Sequence, residues 1–276
     1  MPDNSTTFIK RVISALLAGL VVFSLGYFGG TKGLEVLCTI AIILAIREYS
    51  RMAFTHWQMP AVVSRAYYVI CALLYMALFL HFTQSLILFA FANIMYFTLT
   101  LWLARGLVTN ENLLAALAMG SFGLIYCVLL PFFCVRIVLL EHGGQWFLFL
   151  LLVVFFGDTF AYFSGRWLGR HKLMPSVSPN KTWEGAIGGL VGSMLSGTLQ
   201  ATAAFNIPWY YSLIFCLFCG IVAQSGDLLM SLVKRVAHVK DSGHIMPGHG
   251  GILDRLDGIF IACPLVYVFA LYTQPN

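Results

Sequence analysis

The sequence predicts an all-α, polytopic integral membrane helical bundle with about nine transmembrane helices and a cytosolic N-terminus. Of its 276 residues 60% are hydrophobic and 10% charged, against about 25% charged in a soluble domain. The apolar residues also fall in uninterrupted runs. Segments 85–104 and 113–135 contain no charge at all, and about 20 such residues span a bilayer core. The third observation is the lopsided distribution of Lys and Arg described below.

Spans are predicted at 12–29, 34–53, 66–82, 85–104, 113–135, 146–165, 185–205, 209–229 and 258–273. Arg47, Glu48 and Arg51 occupy the last turns of the second. There, long side chains reach the interface, and Glu48 and Arg51, three apart, can pair. Alternating the nine spans puts fourteen of the sixteen Lys and Arg residues on one side and only Lys32 and Arg136 on the other. By the positive-inside rule the N-terminus is then cytosolic and the C-terminus outside. The net charge of +5 reads as this bias. With no basic soluble domain present, a nucleic-acid partner is excluded. The first span follows Lys10 and Arg11 but ends in Phe28-Gly29-Gly30, a poor small-x-small cleavage site, so it is expected to be an uncleaved anchor. All seven cysteines lie in apolar stretches. They are expected to face lipid or pack helices, with no disulfide framework and no metal at the Cys216-x-x-Cys219 pair.

Polar residues divide the chain into an N-terminal transmembrane scaffold, 1–145, and a C-terminal catalytic region, 146–276. The first part holds Asp3, Glu35, Glu48, Glu111 and Glu141. The second holds Asp158, Glu184, Asp227, Asp241, Asp254 and Asp257 among most of the remaining cations. Asp158 interrupts the sixth span, where an ionisable residue costs several kcal/mol, on the order of 3 by insertion scales. On a helix Asp158, Tyr162, Gly165 and Gly169 trace one face, which serves either function or helix packing around a paired acid. In the following loop Ser178, Asn180, Lys181 and Thr182 precede the seventh helix. They suit an anion at a helix N-terminus, or Thr182 or Asn180 caps the helix and Lys181 is a positive-inside residue. The helix they open carries Gly185, Gly188, Gly189, Gly192 and Gly197, small residues that permit tight helix contact.

If the eighth helix continues past Asp227, then Ser231 and Lys234 or Arg235 share its face. Next come Lys240-Asp241-Ser242-Gly243-His244 and Pro247-Gly248-His249-Gly250-Gly251, then Asp254-Arg255-Leu256-Asp257. Consecutive glycines around His249 allow successive amides to converge on an anion. Two carboxylates three apart, facing one way beside such a nest, need a cation between them. Mg²⁺ takes one or two carboxylates and completes its octahedron with water and phosphate oxygens. The other reading is a charged loop that caps the last helix.

The run Ser231-x-x-Lys-Arg, Lys240-Asp-x-Gly and Pro247-Gly-His-Gly-Gly-x-x-Asp-Arg-x-Asp257 resembles the signature of the phosphatidate cytidylyltransferases, or CDP-diacylglycerol synthases. The Asp158 to Gly169 stripe and the 178–185 loop are similar too, so the resemblance covers about residues 155 to 260. Asn180 stands where many members have Lys. The resemblance implies Mg²⁺-dependent transfer of CMP from CTP to phosphatidic acid, giving CDP-diacylglycerol and pyrophosphate in phospholipid biosynthesis. It implies Asp227 and Asp254 as primary metal ligands, with Asp257 and Asp241 behind or in their stead and a second cation left open. Lys234, Arg235 and Arg255 would hold phosphates, and Gly248, His249, Gly250 and Gly251 would cradle the triphosphate. Ser178, Asn180 and Lys181 would close over CTP or the lipid phosphate. Ser231 completes the catalytic set, Asp158 and Tyr162 are candidate substrate-binding residues, and Asp241 is a candidate base.

The expected setting is a bacterial cytoplasmic (inner) membrane with the site on the cytosolic side, and a homodimer fits the glycine-rich helices. Two rivals stand beside this reading. A CTP-dependent lipid-alcohol kinase would share parts of the site, although the complete Gly-His-Gly-Gly-x-x-Asp-Arg-x-Asp run argues against it. A transporter would use Asp158 and Asp227 as an ion path, but there is no inverted repeat and the polar residues cluster at one face.

Overall fold

A computed structural model describes residues 4–243, 245 and 250–273, with side chains from residue 19 onward. Among the described residues nine α-helices follow one another: α1 Asn4–His56, α2 Ala61–Leu80, α3 Ser85–Leu103, α4 Asn110–Leu124, α5 Leu130–Val138, α6 Gly143–Leu168, α7 Trp183–Phe205, α8 Trp209–Val236 and α9 Leu253–Thr273. The strands among the described residues are β1 Lys172–Met174 and β2 Ser178–Thr182. Seven helices among these residues are long and apolar enough to cross a membrane. Phe28, Leu86 and Leu199 expose 82%, 79% and 71% of their surface, and a surface this apolar requires lipid as its solvent.

The seven do not coincide with the nine predicted spans, for two physical reasons. The first two predicted spans both lie in α1, which breaks at Gly30 with φ 56° and ψ −142°. In a straight helix residues 25 and 33 would stand about 12 Å apart. Instead a Cβ on Gly33 would overlap the Leu25 carbonyl. The chain therefore reverses at Gly30, and its positive φ is one that glycine adopts without strain. The seventh predicted span is α7, whose Gly, Ser and Thr content leaves it outside the seven.

That same composition lets α7 lie backbone to backbone on α6. A Cβ at Gly192 would come within 2.7 Å of the Phe156 carbonyl oxygen and of Phe160 Cβ. Ser193 Oγ donates to the Val153 carbonyl at 2.8 Å, and Gln224 Nε2 of α8 donates to the Ala186 carbonyl at 3.0 Å. These side chains do inside a bilayer what hydrophobic burial does in water: they hold helices together by close contact and hydrogen bonds. Stacked rings reinforce the other faces, Trp146 on Phe205 and Phe215 on Phe269, each with centroids 3.9 Å apart. All seven cysteines are free and buried, so they pack helices, and the lipid-facing alternative is corrected.

Between α4 and α5 the helix widens into one π turn, Ile125–Leu129. The turn directs Tyr126, fully buried, between α8 and α9, where its hydroxyl donates to the Asp257 carbonyl at 2.9 Å. π turns often mark functional regions, and this one buttresses the start of α9.

The α6/α7 contact yields a direct prediction. Gly192→Ala should destabilise the protein in detergent by about 1–3 kcal/mol, the usual cost of overpacking. Gly144→Ala should be neutral, because its Cβ would have only Leu34 Cδ1 at 3.9 Å for company. Chemical denaturation followed by tryptophan fluorescence checks both.

Candidate active site

The segment between α6 and α7, predicted as a loop, is a small antiparallel hairpin. Lys172 pairs with Thr182 and Met174 with Ser178, with an irregularity between. Its base is tied at several points. Thr182, buried, accepts the Gly185 amide at 3.1 Å and caps α7, a role proposed for it from sequence. The Trp183 amide donates to the His171 carbonyl at 2.9 Å, and the His171 ring meets Glu184 at 2.6 Å. Arg235 Nε, at the end of α8, donates to the Val177 carbonyl at 3.1 Å. These ties lay β2 across α8 and bring Lys181 Nζ to 2.6 Å from Asp227 Oδ2.

Of the column expected along α8, the carboxylate and the hydroxyl come together. Ser231 Oγ lies 3.4 Å from Asp227 Oδ1. One turn on, Lys234 leaves the column and pairs with Asp254 of α9, Nζ to Oδ1 at 2.6 Å. The other oxygen, Oδ2, accepts from the Ser242 amide (2.8 Å), the Ser242 hydroxyl (3.0 Å) and the Gly251 amide (3.0 Å). Among the described residues Oδ1 accepts from Lys234 alone, against three donors on Oδ2. Asp257, a turn later, is 7% exposed and accepts the Gly258 amide at 2.8 Å.

A cavity of about 1740 Å³ joins these elements. Asp158, Tyr162, Asn180, Lys181, Asp227, Asp254, Arg255 and Asp257 all line it, so residues scattered over 100 positions of sequence converge on one space. Its other end is apolar, formed by Phe23 and Tyr27 of α1 and by Leu148, Leu151 and Phe155 of α6. Arg166 donates to the Tyr162 hydroxyl at 2.8 Å on the wall. The remaining predicted residues among those described sit outside that lining. Ser178 is on β2, while Ser231, Lys234 and Arg235 make the contacts given above. Exposed Asp241 lines a second cavity of about 610 Å³ with Arg51, His56 and His238. Gly250 has φ +82°, a left-handed backbone suited to glycine, and Gly251 is buried. Gly248 and His249 lie outside the described residues.

The sequence reading missed Glu48. It expected an interfacial partner for Arg51; in the structure Glu48 is 3% exposed and turns into the C-terminal loop. Its carboxylate accepts from the Ile252 amide at 3.1 Å, the Leu253 amide at 3.0 Å and the Ser242 hydroxyl at 3.0 Å. A carboxylate within an apolar helix was the available signal, by the same rule that singles out Asp158.

The donor set suits a hard cation. Asp158, Asp227 and Asp257 lie within electrostatic reach of one another, and like charges so placed call for a cation among them. Among the described residues no three His, Cys, Asp or Glu side chains form a closed ligand group. One or two carboxylates plus water and phosphate oxygens is the manner in which Mg²⁺ binds beside polyphosphates. The residues therefore fit such an ion.

Comparison with known proteins places this geometry in context. The model of the cytidylyltransferase family matches residues 9–273. The phosphatidate cytidylyltransferase of Brucella abortus is 45% identical over 135 residues, 49% of this chain and 50% of that protein. The Bacillus subtilis protein of the same name is 43% identical over 135 residues, 48% of this chain and 50% of its own length. The matched stretch thus spans about half the length of these relatives. A Synechocystis protein, also named phosphatidate cytidylyltransferase, is 32% identical over 297 residues, covering 96% of this chain and 97% of its own. The chain is an integral membrane protein and belongs to the cytidylyltransferase family.

Proposed function

We propose that this chain transfers CMP from CTP to phosphatidic acid, producing CDP-diacylglycerol and pyrophosphate. The observation that carries the reading is the two-ended cavity. An apolar groove between α1 and α6 suits acyl chains, and it opens directly onto the floor of Asp158, Lys181, Asp227, Asp254 and Arg255. A lipid phosphate and a soluble nucleotide can meet only where such surfaces adjoin.

In this reaction a lipid phosphate oxygen attacks the α-phosphorus of CTP in line, and the bond to the β-phosphate oxygen breaks as pyrophosphate leaves. The lipid phosphate is largely ionised near neutral pH, so a strong general base is dispensable. Catalysis is then positioning and charge stabilisation. Lys181 is held against Asp227, where its ammonium can turn to an arriving phosphate while the carboxylate is released toward a cation. Lys234 and Asp254 form the same kind of pair. Arg255 faces the cavity, and a guanidinium can grip two phosphate oxygens at once. Asp227 and Asp254, with Asp257 behind them, would hold Mg²⁺, which when bound neutralises charge on the triphosphate.

The same reading places the polar end of the cavity on the cytosolic side of a bacterial inner membrane. It takes the N-terminus as cytosolic, nine crossings, 1–145 as scaffold and 146–276 as the catalytic region, and a homodimer as the assembly.

Incubating the detergent-purified chain with α-labelled CTP, phosphatidic acid and Mg²⁺ should give lipid-extractable label and equimolar pyrophosphate, both abolished by EDTA. Formation of free CDP with a phosphorylated lipid alcohol would instead establish a kinase, and solute uptake into vesicles without nucleotide a transporter. Under the same assay Lys181→Met should lower kcat by about 100-fold, the scale for removing one preorganised group facing developing charge. Asp227→Asn should abolish turnover while the protein elutes as wild type on size exclusion, since an amide keeps the shape and loses the charge; wild-type turnover would remove Asp227 from the site.

A further inference from the structure

Among the described residues, the start of α9 has no local side-chain cap of the usual kind. Arg255 and Leu256 donate their amides to the Ile252 carbonyl at 3.0 and 3.2 Å, which makes Ile252 the cap position. Ile252 is apolar and the two residues before it are glycines, so none of these three offers a side-chain acceptor to the first free amides. Glu48 does so from more than 200 residues away. Oε1 accepts the Ile252 amide, and Oε2 accepts the Leu253 amide. A negative charge at a helix N-terminus is also favoured by the aligned peptide dipoles.

Ser242 extends this contact to the polar floor. Its hydroxyl is 3.0 Å from Glu48 Oε2 and 3.0 Å from Asp254 Oδ2. A hydroxyl has one proton, so it serves one carboxylate at a time and couples the two. A continuous line therefore runs from α1 through Glu48, Ser242 and Asp254 to Lys234 of α8. Two glycines make room for it. A Cβ on Gly243 would overlap Glu48 Oε1, and one on Gly251 would overlap both Glu48 Oε2 and Ser242 Oγ. The spacing of these glycines accommodates a carboxylate from another helix, a demand separate from any contact with phosphate.

We propose that Glu48 is a positioning residue for the transfer reaction: it caps α9 and, through the Ser242 hydroxyl, fixes the Asp254 carboxylate against Lys234. It touches neither substrate. The proposal rests on the cytidylyl-transfer reading, and its test separates the two.

The full-length chain and the variants Glu48→Gln and Ser242→Ala are assayed side by side in detergent for kcat, KM for CTP and KM for phosphatidic acid. Hydrogen exchange is followed at residues 250–256. Glutamine keeps the size of the side chain but turns one acceptor into a donor that faces amide or hydroxyl donors. Glu48→Gln should lower kcat by about 10- to 100-fold, the scale of small misplacements of reacting groups, with both KM values within about twofold of wild type. Exchange at 250–256 should accelerate at least about tenfold with α6 unchanged, as expected for an uncapped helix end. Ser242→Ala keeps the amide bond to Asp254 and loses only the hydroxyl. It should lower kcat by about fivefold or more, and the double variant should fall short of the product of the two effects because both lie on one line.

Wild-type kcat in either variant overturns the proposal, as does a kcat loss in Glu48→Gln matched by an equal loss of folded protein or full multiplicativity in the double variant. If Glu48→Gln does not fold, Ser242→Ala alone decides. Transfer by wild type with undiminished transfer by the variants sinks only the positioning role; no transfer by wild type sinks both readings.

Discussion

An unpaired carboxylate inside a bilayer protein is expensive, and removing one partner of a buried pair strands the other charge. The chain nevertheless carries Glu48, Asp158, Asp227, Asp254 and Asp257 within helices. Their need for donors sets the layout. Asp254 receives an ammonium and two amides, Asp227 receives Lys181 from the hairpin, Glu48 receives two helix-end amides, and the single Ser242 hydroxyl is shared between Asp254 and Glu48. Apart from the Gly251 amide, three residues before Asp254, these partners come from other elements. Satisfying the acids is therefore the same thing as assembling α1, α8, α9 and the hairpin in one relative arrangement.

The glycine face between α6 and α7 serves that arrangement from behind. Because those helices nearly touch, the short segment joining them emerges at a defined height, and β2 has only to cross to α8. Arg235 then anchors the turn. The result is a polar cluster built from three directions at the mouth of an otherwise apolar groove, with rigid helices supporting every charged group but Lys181.

Much of this was legible in the residues. The apolar runs marked every helix in α1 to α9, and the glycines of α7 announced close packing because small residues in a span have few other uses. The cost of charge in lipid singled out Asp158, and the family resemblance implied that Lys181, Asp227 and Asp254 join one site; all four line the same cavity. What was hidden is long-range. Nothing local to Glu48 names Ser242 or Leu253 as partners, and Arg51 three residues away offered a nearer but unused one. The hairpin at 172–182 is too short and too rich in polar residues for alternation to show, and it exists because its ends are clamped. The burial of all seven cysteines likewise depends on which helix faces meet, which composition alone does not specify.

Those cysteines have a practical consequence. A thiol sealed between helices is inert to water-soluble alkylating reagents, and all seven are free and buried. Cys71, Cys127, Cys216, Cys219 and Cys263 are thus silent toward maleimides, whereas Cys38 and Cys134 line the cavity. With those two replaced, a single cysteine introduced into an exposed loop would be the reactive one, and its labelling from one or the other side of an intact membrane would assign that loop to a compartment.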